Sequence, residues 1–191
     1  MNPLVDTFAR PLHDLRISLT DRCNFRCTYC MPKEIFGKEH VFLPQEQLLS
    51  FDEIETLTRA FVALGVRKVR LTGGEPLMRK GLEDLIARLA AVPGVEDIAL
   101  TSNGSFPVER VHSQKAAGLN RMTVSLDALD DTTFKAMNDV DFPVARVLEW
   151  IEASATAGLA PIKVNMVVKR GVNEHVILPM ARYFREHGHI L

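Results

Sequence analysis

Two hydrophobic periods take turns along this chain. FDEIETLTRAFVAL from Phe51, LEDLIARLAAV from Leu82 and VARVLEWIEASATA from Val144 space their apolar residues three and four apart, the period of an amphipathic helix. Each runs into a glycine, the residue that most readily adopts the left-handed conformation ending a helix. That glycine opens a recurring unit: Gly, then Val or Leu, two further residues, and the start of a β-like run. It reads GVRKV at Gly65, GVEDI at Gly94, GLNRM at Gly118 and GLAPI at Gly158. Ser50 and Glu53 carry the signature of a capping box ahead of the first helix. With LRISLT preceding the series, helix and strand alternate throughout, which predicts βα units around a parallel sheet. The fold class is α/β, an incomplete TIM-like (βα)6 arrangement with five strands present and helices outside.

Parallel strands covered on both faces read as unbroken apolar runs, yet here every strand is expected to alternate. Arg16, Ser18 and Thr20 oppose Leu15, Ile17 and Leu19, and Lys68, Arg70 and Thr72 oppose Val69 and Leu71. Further on, Thr123, Ser125 and Asp127 oppose Val124 and Leu126, and Lys163 and Asn165 oppose Val164 and Met166. The apolar face belongs under the helices. The polar face is either an ordinary solvated surface or the wall of a barrel-like sheet curled around a large anion. The convergence of Arg16, Lys68, Arg70 and Lys163 favours the anion.

Composition sharpens this, because the 191 residues carry 23 basic and 24 acidic side chains for a net charge of −1. No bulk field attracts nucleic acid or an anionic membrane, so an acidic ligand must be met locally. The amino-terminal sequence has no continuous apolar signal-peptide core, and no 18 apolar residues run together, so a cytoplasmic protein is expected. One domain, 1–191, is predicted. Its last helical stretch ends at Gly188 with three residues to follow, so a sixth strand is announced and then broken off. This is the expectation for a chain truncated before strand six.

All three cysteines lie in one run, CNFRCTYC, at Cys23, Cys27 and Cys30. Three thiols do not pair off among themselves, and disulfides are uncommon in reducing compartments. Structural zinc takes four ligands, usually from two paired hooks, and no second hook accompanies this one; His40 and His112 stand alone. A thioredoxin-like pair would use Cys27 and Cys30 and leave Cys23 idle. An iron-sulfur cubane held by three cysteines leaves one iron open for chemistry. The run follows strand one at its carboxyl end, where barrels carry their active sites.

The spacing C-x3-C-x2-C, with aromatic Tyr29 before the last cysteine, resembles the signature of the radical S-adenosylmethionine family. Its second motif, GGEP, stands at Gly73-Gly74-Glu75-Pro76 after strand two. The resemblance implies a radical-SAM partial barrel. It implies a [4Fe-4S] cluster on Cys23, Cys27 and Cys30, and S-adenosylmethionine chelating the open iron. One-electron cleavage of that sulfonium would yield a 5'-deoxyadenosyl radical. Glycines in GGEP would let the backbone approach the ligand's amino group, with carbonyls and the Glu75 side chain as acceptors.

Within that family, DLRISLTDRCNFRCTYCMP, VRLTGGEPLMRKGLEDLI, LTSNG, TVSLDALD and KVNMVVKRGVNE resemble the GTP 3',8-cyclases of molybdenum cofactor biosynthesis along essentially the whole chain. That resemblance implies GTP as substrate, held by Arg16, Arg70, Thr101 and Lys163, with Lys68 a weaker candidate. Tyr29, Gly74 and Ser125 would contact S-adenosylmethionine. No catalytic residue is implied beyond the cluster ligands. An electron donor is implied, a homodimer is allowed, and neither nucleic acid nor membrane is a partner. Such cyclases carry a second cysteine triad and a Gly-Gly tail, and this sequence has neither. The competing readings are a radical enzyme acting on another substrate, such as a peptide, an inactive fragment, and a zinc-binding adaptor. Asp127 would either orient a ligand or cap the turn after strand four, and Trp150 is expected in the core.

Overall fold

The computed structural model describes residues 4–191. Five strands, β1 (Asp14–Ser18), β2 (Lys68–Thr72), β3 (Asp97–Ser102), β4 (Arg121–Ser125) and β5 (Lys163–Asn165), form one parallel sheet in the order β1-β2-β3-β4-β5. The sheet is open, as β1 and β5 each have one strand neighbour. Helices α1 (Phe51–Ala63), α2 (Leu82–Ala90), α3 (Glu109–Ala116), α4 (Asp131–Asn138), α5 (Val144–Ser154) and α6 (Ile177–Glu186) complete the βα series. Ser50 caps α1 in the reciprocal box its sequence announced, accepting from the Glu53 N–H while the Glu53 carboxylate accepts from the Ser50 N–H. No helix among the described residues is long and apolar enough to cross a membrane.

The core fills the space between the sheet's apolar face and the helices. Val69, Leu71, Ile98, Leu100, Met122 and Val124 meet Leu85 and Leu89 of α2, Val147 and Trp150 of α5, and Phe184 of α6. Trp150 is fully buried, the core role its helical spacing predicts. The strand that departs from alternation is β3, where Ile98, Ala99 and Leu100 are buried in succession. It sits at the centre of the sheet, where even the polar side is narrowed by neighbours.

Two elements differ from the sequence reading. An additional short helix, α4, intervenes after β4, capped by the Asp130 side chain accepting from the Thr133 N–H. An aspartate ahead of a helical run was the available signal. The other is β5, which stops at Asn165 because the next free N–H, on Val167, donates to Asp127 instead of to a strand. Beyond α6, Ile190 bridges in parallel to Lys163, donating to the Ile162 carbonyl and accepting from the Val164 N–H. The pairing announced after Gly188 begins there, on the free edge of β5.

Candidate active site

Parallel register turns the polar face into rungs. Asp14, Lys68 and Asp97 form the rung at the amino-terminal edge. The next holds Arg16, Arg70, Ala99 and Arg121, and one pleat further toward the carboxyl edge Thr101 aligns with Thr123 and Thr123 with Lys163. Arg16, Arg70 and Lys163 are exposed, and Thr101 and Ser125 half-buried. The expected cations therefore do share one face. They are not all unopposed, however: Lys68 pairs with Asp97 at 3.0 Å, Arg70 with Asp14 at 3.4 Å, and Arg121 with Asp97 at 2.9 Å. Among the described residues, Arg16 and Lys163 make no ion pair. The acidic rung and Arg121 were missed from sequence, because only register reveals which charges meet across strands.

The wall is open rather than enclosed. Arg16 lines a small cavity of about 200 Å³ with Leu49, Ile54, Leu57 and Phe61. A cavity of about 750 Å³ lies among α3, α5 and α6 and is lined by none of the three cysteines.

Every strand's carboxyl end contributes to one constellation. The cysteine loop leaves β1 and is suspended from the end of α4, whose Met137 and Asn138 carbonyls accept from the Thr28 and Arg26 N–H groups. The Gly73-Gly74 turn after β2 presses on that loop: the Gly74 N–H donates to the Thr20 carbonyl and the Glu75 N–H to the Arg22 carbonyl, each at 2.7 Å. A Cβ on Gly74 would collide with the Arg22 carbonyl. Glycine is thus demanded here by backbone against backbone, before any ligand arrives.

Glu75 corrects the expectation of an acceptor held out to a ligand. It is 1% exposed, and its carboxylate accepts from the Leu77 N–H (3.1 Å), the Ser102 hydroxyl (3.0 Å) and the Asn103 N–H (2.8 Å). The side chain is a strut between the β2 turn and the β3 loop. Burial pushes its carboxyl up to about 7, against the pull of those donors. Asn103 passes the connection on, donating to the Asn24 side chain at 2.9 Å.

On the other side, Tyr29 donates through its hydroxyl to Asp127 at 2.8 Å, while the second Asp127 oxygen accepts from the Val167 N–H at 2.9 Å. Asp127, 4% exposed, thus neither caps its own turn nor points to solvent, but ties the cysteine loop to the segment after β5. Asn173, fully buried, closes the link by donating to the Asp127 and Val167 carbonyls. Gly74 is half-buried at the same edge as Ser125.

The thiols of Cys23, Cys27 and Cys30 are free. Burial is the main influence raising the Cys23 thiol and pushes the Cys27 thiol up to about 12, with the neighbouring thiols adding to both. Groups so disposed favour thiolate only when a cation-rich centre offsets the charge. Among the described residues, no three His, Cys, Asp or Glu side chains converge on a single-ion site. A cubane asks for no such convergence, since each thiolate meets a different iron. The Cys23 sulfur already accepts from the Phe25 N–H at 3.4 Å, the kind of bond that stabilises a cluster thiolate. The donor set fits a [4Fe-4S] cluster.

The chain is 51% identical over 189 residues to a GTP 3',8-cyclase of Acidothermus cellulolyticus, covering 99% of this chain and 52% of that protein. It is 50% identical over 183 residues to a GTP 3',8-cyclase of Staphylococcus aureus, covering 95% and 53%. The chain therefore spans about half the length of these curated relatives. Among solved structures, Streptococcus suis SuiB bound to S-adenosylmethionine superposes with a TM-score of 0.73 at 17% identity, over 93% of this chain and 38% of that one. Methylornithine synthase superposes with a TM-score of 0.70 at 14% identity, over 90% and 50%. These distant structures speak for the fold alone. The sequence match to the Radical SAM superfamily runs over residues 17–184, from β1 through α6. That match takes in the whole constellation at the carboxyl edge, and the chain belongs to the radical SAM superfamily, whose cofactors are a [4Fe-4S] cluster and S-adenosylmethionine.

Proposed function

We propose that this chain carries the cluster-, S-adenosylmethionine- and triphosphate-binding wall of a GTP 3',8-cyclase, which joins C3' of the ribose to C8 of guanine. When bound, the cluster and S-adenosylmethionine supply one-electron radical chemistry, the electron coming from an external donor. Cys23, Cys27 and Cys30 hold the cluster, and Tyr29, Gly74 and Ser125 border the place for S-adenosylmethionine. Arg16, Arg70, Thr101 and Lys163 hold GTP. The observation that carries this reading is the register that sets Arg16 beside Arg70, with Lys163 one pleat nearer the cysteine loop. Two guanidinium groups side by side repel unless anions offset them; the exposed Asp14 does so only for Arg70, at 3.4 Å, and a triphosphate would supply the rest with bidentate geometry. The approximately 50% identity to named cyclases supports the same substrate.

The test is equilibrium binding of GTP to the 191-residue chain after anaerobic reconstitution with iron and sulfide. Dithionite and S-adenosylmethionine are then added, and 5'-deoxyadenosine is measured with and without GTP. GTP binding is expected, weakened at least tenfold in Arg16→Ala and Arg70→Ala, together with GTP-dependent 5'-deoxyadenosine. An iron-loaded chain that binds GTP no better than those variants do would overturn the assignment.

A further inference from the structure

Arg26, the residue before the second cysteine, is not explained by ligation. It is half-buried, and its guanidinium is spent on main-chain carbonyls: Nη1 donates to Cys23 at 2.7 Å and to Phe25 at 2.8 Å, and Nε to Phe36 at 2.9 Å. Its own N–H donates to the Asn138 carbonyl at the end of α4 at 3.0 Å. The side chain thereby joins two separate stretches, the start of the cysteine run and the segment 32–43 that follows it, while the Arg26 main chain ties the same point to the helix from which the run hangs. The guanidinium carbon also lies 5.7 Å from the centre of the Phe42 ring, and Phe42 and Phe36 flank His40 at 4.6 and 4.7 Å. Among the described residues Arg26 makes no ion pair, and its charge is held at the main chain of Cys23, the first of the three cysteines.

We propose that Arg26 is the positioning residue of the cluster loop, with two separable duties. Its fork fixes the loop carbonyls so that the three thiols are presented together, and its charge offsets the anionic cluster and so raises the cluster's reduction potential. This rests on the reading that Cys23, Cys27 and Cys30 hold a cluster. The charge argument follows from sign: adding one electron makes a three-thiolate cluster more negative, and a neighbouring cation favours the more negative state. The fork argument follows from count. Lysine keeps the charge but has no rigid planar fork for carbonyls on opposite sides, and glutamine keeps neither the charge nor the reach.

The experiment compares wild type, Arg26→Lys and Arg26→Gln in the 191-residue chain by three measurements. Amide exchange of the metal-free chains reads the fork without any cluster, and protection at 25–36 is expected to fall in both variants. After reconstitution, iron release to a chelator is expected to be about tenfold faster in both, the usual scale for lost outer-sphere support. A dithionite titration followed by electron paramagnetic resonance reads the charge: Arg26→Gln is expected to reduce at a more negative potential, and Arg26→Lys at the wild-type one. Wild type that loads no cluster defeats the cluster reading itself. Wild type that loads normally, with both variants matching it in exchange, iron release and potential, overturns the role of Arg26 and leaves the cluster reading standing.

Discussion

Replacing Glu75 with glutamine tests whether the carboxyl edge is held together before any cofactor binds. The wild-type carboxylate satisfies three donors, the Leu77 and Ser102 groups on one oxygen and the Asn103 N–H on the other. Glutamine is the same size but has one acceptor oxygen. If that oxygen keeps Leu77 and Ser102, its NH2 faces the Asn103 N–H and leaves a buried donor unpaired, a loss of about 2–3 kcal/mol. Titration gives the prediction a second dimension. Burial holds the folded carboxyl at about 7, against 4.5 in an ordinary glutamate. Between those values the folded chain keeps a proton that the unfolded chain has lost, so this group's stabilisation is complete below about 4.5 and is lost as pH rises through 7. From pH 6 to pH 8 wild type should lose about 1.4 kcal/mol on this account, while glutamine, which does not titrate, loses nothing.

Urea unfolding of the metal-free chains at pH 6 and pH 8, followed by circular dichroism, gives the comparison, and differencing against the variant cancels every other titrating group. Glu75→Gln should be destabilised by about 2–3 kcal/mol at pH 8, where the carboxyl is mainly ionised, and by about 1.4 kcal/mol more at pH 6. Equal stability of the two chains at pH 6 would refute the strut. A gap that stays constant from pH 6 to pH 8 would show that the carboxyl remains ionised throughout, and would refute the balance of burial over hydrogen bonding.

Three further substitutions probe the same edge. Gly74→Ala places a methyl group against the Arg22 carbonyl and 2.9 Å from that of Asp21, so thermal unfolding should show a loss of about 3 kcal/mol or more. Asn173→Ala removes both donors to the Asp127 and Val167 carbonyls and the acceptor for the Lys169 N–H, at about 2–4 kcal/mol in urea unfolding. Cys27→Ser should leave the circular dichroism spectrum intact and abolish bound iron and sulfide after reconstitution; full iron content would sink the three-cysteine assignment.

Much of this was legible in the sequence for a physical reason. The sheet is open on one face, so four strands keep a period of two, and the helices that lead into strands run into glycines whose positive φ, such as 115° at Gly65 and 112° at Gly118, only that residue adopts cheaply; α4, which ends on Asp139 at a φ of 51°, carries no such signal. Cysteine spacing is a local property and survives unaltered into the loop after β1. What stayed hidden depends on register and on distant partners. Nothing in the sequence singles out Asp14 and Asp97, which only strand pairing sets beside Arg70, Lys68 and Arg121. Glu75 read as a ligand group because the sequence does not say that Ser102 and Asn103, a strand away, reach it first. Nothing in the sequence singles out Arg26, since its partners are carbonyls, which every residue has.

The acidic rung also orders the cations. Arg70 and Asp14 meet at 3.4 Å with side chains 53% and 40% exposed, an ion pair worth well under about 1 kcal/mol, so a phosphate can take Arg70 from Asp14 at little cost. Lys68 and Asp97 meet at 3.0 Å with side chains 19% and 17% exposed, and Asp97 holds Arg121 as well. Drawing Lys68 away would leave a shielded carboxylate with half its compensation, which is the costly direction. On the proposed reading Lys68 would serve mainly to hold Asp97 and Arg70 to meet the ligand, although the two stand only two residues apart on one face. Lys68→Ala should weaken GTP binding less than Arg70→Ala does, while lowering the urea midpoint more. Binding losses in the reverse order would mean that the acidic rung gives up its lysine, and that the triphosphate lies nearer the amino-terminal edge than Arg16, Arg70 and Lys163 indicate.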